Sequence, residues 1–145
     1  AEREAAKAAQ VAAKVEAEAP SVTAALQLLA LFQREGRLVD FLEQDVASYS
    51  DADVGAAARV VHEGCRKALR QHAKMSAVRS EEEGAQVTIG EGYDAHEVKL
   101  VGNVTGKPPY KGVLRHKGWR LRELSVPTPM KEHDATVIAP AEVEL

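Results

Sequence analysis

Apolar residues recur three and four positions apart from Val22 to Leu69, and at every second position beyond Gly84. The first spacing is that of one helix face, the second that of one strand face. Val22, Ala25, Leu26, Leu29 and Phe32 predict a helix over 22–35, with Ser21 as its N-cap and Gly36 as the residue that stops it. Leu38, Phe41, Leu42 and Val46 predict a second, short helix ending near Tyr49. Ser50 with Asp53 resembles a capping box with Asp in place of Glu. It opens a third helix whose stripe is Val54, Ala57, Ala58, Val61, Cys65, Ala68, Leu69 and His72.

The acidic run Glu81, Glu82, Glu83 before Gly84 ends the helical period and marks a solvated linker. Strands are then expected at Val87 and Ile89, at Val98, Leu100 and Val104, at Val113 and Leu114, and at Trp119 and Leu121. His116, Lys117 and Gly118 read as a tight turn joining the last two into a hairpin. Thr136, Val137 and Ile138 form a short apolar segment suited to closing the sheet. The expected fold class is α+β, an N-terminal helical half followed by a small antiparallel β-meander or partly closed barrel. The expected organisation is an Ala-rich helical or flexible tether over 1–20, a helical subdomain over 21–79 and a β subdomain over 80–145. The tether assignment rests on nine Ala in residues 1–19, with only Val11 and Val15 as larger apolar side chains. Helix propensity there is high, but there is too little apolar surface to dock.

A chain of 145 residues can bury one core without disulfides or metal. With six aromatic residues that core is aliphatic, which argues against a large aromatic pocket. The net charge of -3 conceals an asymmetry: residues 1–80 balance eleven basic against eleven acidic side chains, whereas residues 107–122 hold six cations and no carboxylate. Cys65 is the single cysteine, so no intramolecular disulfide forms, and a lone thiol fits a reducing, cytoplasmic setting. These residues contain no run of eighteen apolar positions, so they provide no membrane contact. The sequence starts at Ala rather than Met, which leaves room upstream for a membrane-associated segment.

Enzyme chemistry has few candidates. Cys65 and His72 share a helix face, but about 10 Å of axial rise keeps the imidazole from the thiol, so Cys65 reads as a small core hydrophobe. One Cys and five scattered His give no close ligand pair, and neither metal nor cofactor is expected. Residues 102–107 superficially resemble a phosphate loop, yet they are one residue short between the glycines, lack Ser or Thr after Lys107, and run into Pro108 and Pro109 instead of a helix. His133 and Asp134 are adjacent, and as strand neighbours they would face opposite ways. The carboxylates lie in caps and charge runs and not as a pair set in apolar sequence. No catalytic residue is assigned.

The candidate binding surface is Lys107, Tyr110, Lys111, Arg115, Lys117, Trp119, Arg120 and Arg122. Cations interleaved with aromatics on a small sheet contact phosphates and stack bases of single-stranded nucleic acid. Against this, Trp119 alternates in phase with Leu121, which reads as a core position and leaves Arg120 and Arg122 as the solvated face of an edge strand.

Three sets of strings resemble a bacterial family, domain of unknown function 2760. They are residues 26–42 with Tyr49, Ser50, Asp51 and residues 64–69; residues 100–106 with 114–119; and the ending from His133 to Leu145. The resemblance covers about residues 21–145. It implies no catalytic residues. It implies an accessory role beside a DnaK-type chaperone system, and an apolar segment ahead of the part seen here, to which residues 1–19 would be the tether. The first reading is therefore a non-enzymatic protein-binding or accessory module, oligomeric state open, whose helical half presents a surface to the partner while the β half completes the fold. The second is a single-stranded nucleic-acid-binding module using residues 107–122; the third is an enzyme whose polar pocket forms only in three dimensions.

Overall fold

The computed structural model describes residues 1–6, 22–126 and 134–145; the Ser21 cap, most of the 1–20 tether and His133 lie outside the described residues. Two units emerge, one formed by Ala1–Leu69 with Val126–Leu145, the other by Arg70–Ser125.

In the first unit, helix α1 spans Val22–Gly36, α2 spans Leu38–Glu43 and α3 begins at Asp51 and runs to His72. Gly36, expected just past the helix, is its last residue, and the left-handed residue at the joint is Arg37, at φ 55°. Arg37 starts α2 directly, so the joint is one residue wide. The cap of α2 comes from Gln33, one turn back on α1. Its buried side chain accepts from the N–H groups of Val39 (3.0 Å) and Asp40 (3.2 Å) and donates to Asp40 Oδ2 (2.8 Å). The expected continuation of α2 to Tyr49 fails at Gln44, which is extended. Asp45 captures the Ala47 N–H at 3.2 Å and starts a 3₁₀ turn, Val46–Ser48, in place of further helix. The start of α3 is as its sequence predicts, with Ser50 Oγ accepting from Asp53 N–H at 3.1 Å.

Along α3 the less exposed positions are Val54, Ala57, Ala58, Val61, Gly64, Cys65, Ala68 and His72, which is the predicted stripe with Gly64 added and Leu69 exposed. On α1 the predicted face is partly wrong: Val22 and Ala25 are exposed, and the fully buried side chain is Leu31.

The second unit is built on two antiparallel ribbons. Strand β1 (Ala73–Ala77) pairs with β4 (Trp119–Leu124), and β2 (Gln86–Ile89) pairs with β3 (Tyr110–Val113). The pairing is nested, with Ala77 opposite Trp119 outside and Ile89 opposite Tyr110 inside. Val78 N–H to Gly118 O (3.3 Å) and Arg79 N–H to Lys117 O (3.0 Å) prolong the outer ribbon. Leu114 N–H to Ala85 O (2.9 Å) and Gly84 N–H to Leu114 O (2.7 Å) prolong the inner one.

The α+β class stands, with no closed barrel. The expected hairpin between Val113 and Trp119 is not formed, because β3 and β4 each pair with an earlier strand. Residues 98–104 and 136–138 are not strands. Alternation shows which residues share a face, but does not show which strand lies alongside.

Candidate binding groove

A hollow of about 650 Å³ lies within the second unit, between β3 with the residues after it and the segment 97–105. Val87 and Ile89, alternate residues of β2, contribute one face of that strand to it. The ribbon register puts them beside Gly112 and Tyr110. The Tyr110 ring meets Tyr93 edge to face, with centroids 6.4 Å apart, and its hydroxyl donates to Gly106 O at 3.1 Å.

Of the eight residues singled out in the sequence, the hollow brings together Lys107, Tyr110, Lys111, Arg115 and Lys117; Trp119, Arg120 and Arg122 lie on β4 and do not line it. Lys99 also lines the hollow, and sequence reasoning missed it because it stands alone in a mixed segment. Among the described residues Lys99, Lys107, Lys111 and Arg115 have no carboxylate within ion-pair distance. Lys117 lies 3.7 Å from Glu82, and Arg79 is held by Glu81, whose carboxyl this hydrogen bond keeps below its ordinary range. Arg120 is engaged by Glu97.

The outer ribbon is amphipathic. The register places Ala73, Met75 and Ala77 on one face with Leu124, Leu121 and Trp119. The opposite face is internally paired: Lys74 with Glu123 at 3.1 Å, and Arg122 Nε donating to Ser76 Oγ at 2.9 Å. The apolar face is open, with Trp119 67% exposed and Leu121, Leu124 and Met75 all above a third.

A family model described as domain of unknown function (DUF2760) matches residues 21–144. The chain belongs to the DUF2760 family. No curated protein and no solved structure matches it. In this DUF2760 chain the Cys65 thiol is half-buried; it points at Phe32 O, 3.8 Å away, and burial raises its pKa. Both effects oppose a nucleophile. In the segment resembling a phosphate loop, Gly102 and Gly106 take positive φ and no helix N-terminus follows. Among the described residues no group of three His, Cys, Asp or Glu could hold a metal ion, and no helix is long and apolar enough to cross a membrane.

Proposed function

We propose that this DUF2760 chain is a non-enzymatic module that binds a protein partner through the apolar face of the β1/β4 ribbon. The carrying observation is the exposed row Met75, Trp119, Leu121 and Leu124 on a ribbon whose other face is already satisfied. A two-stranded ribbon is marginal alone and gains stability when its apolar face is covered. A central Trp flanked by aliphatic side chains has the composition of an interface hot spot. A DnaK-type chaperone is the first partner to test.

The experiment is capture on the tagged full-length protein from a native host, repeated with Trp119→Ser and Leu121→Ser. A discrete partner that disappears with the substitutions supports the reading. Equal capture by both proteins sinks it. The nucleic-acid reading has less support, because Trp119 does not line the hollow that gathers the unpaired cations, and β2 gives that hollow only the aliphatic Val87 and Ile89.

A further inference from the structure

We infer that the groove along β3 takes an extended segment of alternating acidic and apolar residues, and that its occupant is segment 140–145 of a second copy of this chain. This site is independent of the β1/β4 face proposed above.

Three observations lead to it. The first is where the hollow runs. Residues 109–118 line it without a gap, whereas β2 contributes only Val87 and Ile89. A hollow over a strand's face is lined by alternate residues, and one along its edge by consecutive ones. The groove therefore follows the edge of β3 that β2 does not occupy. Leu114 donates to Ala85 O, and the antiparallel alternation from that bond turns the N–H and C=O of Lys111 and Val113 outward along this edge. A further strand meets unused backbone partners there.

The second is the division of side chains between the two faces of that edge. Tyr110, Gly112 and Leu114 share a face with Ile89 and Val87, and a Cβ at Gly112 would meet nothing within 4 Å. Lys111, Val113 and Arg115 project to the other face. A fitting strand has apolar side chains at one set of alternate positions and carboxylates at the other. Unpaired lysines protect an open edge against arbitrary strands, and here they admit an acidic one.

The third is that the chain contains such a segment. Pro140, Ala141, Glu142, Val143, Glu144 and Leu145 alternate apolar with acidic. Val143 is 81% exposed and Leu145 fully so, and among the described residues no ion pair holds Glu142 or Glu144. With Ala141, Val143 and Leu145 toward the Val87 and Ile89 face, Glu142 and Glu144 fall on the face of Lys111 and Arg115. Six extended residues span about 20 Å, the reach of residues 110–115.

The test is sedimentation velocity on the full chain with two charge-swapped variants. One carries Glu142→Lys and Glu144→Lys, the other Lys111→Glu and Arg115→Glu. Wild type should self-associate with rising concentration, and each variant alone should do so at least about tenfold more weakly, because acid then faces acid or base faces base. An equimolar mixture of the two should associate like wild type, since each variant's segment suits the other's groove. Recovery in the mixture also shows that neither variant has lost its fold. A wild type that stays monomeric at all concentrations overturns the inference, and so do variants that associate like wild type or a mixture that does not recover.

Discussion

Gly64 stands so close to Gly36 that a Cβ on Gly64 would lie 2.6 Å from Gly36 Cα, and a Cβ on Gly36 would lie 2.7 Å from Cys65 N. Here α3 passes the end of α1 at backbone contact, a distance only glycine permits on both sides. Both obstacles are backbone atoms, which cannot swing aside.

The crossing gives a paired prediction within one helix. Gly64→Ala should destabilise the chain by about 3 kcal/mol, since the new methyl must force the helices apart. Gly55→Ala, in the same helix with nothing within 4 Å, should stabilise it by about 0.5–1 kcal/mol through helix propensity. Thermal melts of the two variants should move in opposite directions. A Gly64→Ala protein as stable as wild type would contradict the close crossing.

Gln33 holds the α1–α2 joint. Gln33→Ala removes the acceptor for two N–H groups at the start of α2 and should cost about 1–2 kcal/mol. Gln33→Glu keeps the acceptor but sets a carboxylate against Asp40, so it should recover only part of the loss at neutral pH. Chemical denaturation of the three proteins checks the order.

Asp40 gives the joint a pH dependence of known sign. The Gln33 amide, and then the Arg37 guanidinium 2.7 Å away, hold its carboxyl below the ordinary value. A carboxyl whose pKa is lower when folded contributes stability above its unfolded pKa, and loses it as pH falls through the folded one. The difference in melting temperature between wild type and Asp40→Asn should be constant at neutral pH and shrink below about pH 4. A difference that grows on acidification would reverse the assignment.

Cys65 should alkylate slowly in the native protein. Its thiol is half-buried, faces the Phe32 carbonyl and has a raised pKa, so little thiolate is present at neutral pH. A small alkylating reagent should react at least about tenfold faster after denaturation, and the native rate should keep rising above about pH 9. Fast native labelling at pH 7 would return Cys65 to the list of reactive groups.

The helical half was legible because its signals are local. The Ser50 cap and the α3 stripe depend on neighbours within a few positions, and both appear as the sequence predicts. Gln33 was not legible as a cap, since it lies four residues ahead of Arg37, where no capping rule looks. In the β half, alternation finds β2, β3 and β4 but not β1, marks residues 98–104 and 136–138 as strands that do not form, and gives the wrong pairs. Trp119 and Leu121 do alternate with arginines on one strand, yet their partners are Ala77 and Met75, in a stretch that reads as the tail of a helix. The basic cluster divides for the same reason. Lys107 to Lys117 gather at the hollow, while Arg120 and Arg122 follow β4 to a different ribbon.

The nesting of the two ribbons also orders events in time. Ile89 and Tyr110 can meet by closing only residues 90–109, whereas Ala77 and Trp119 alone must close everything between them, roughly a doubling of loop that costs about 0.6 kcal/mol more. The cheaper first step is therefore the inner rung, after which the outer strands zip toward the helix. The last bonds to form are those at the root, where Ser125 N–H reaches His72 O at 2.7 Å and the His72 ring nitrogen meets Ser125 O at 2.9 Å. Refolding followed by pulsed hydrogen exchange should protect the amides of 86–89 before those of 73–77, so that this part of the chain closes from its far end back to the end of α3.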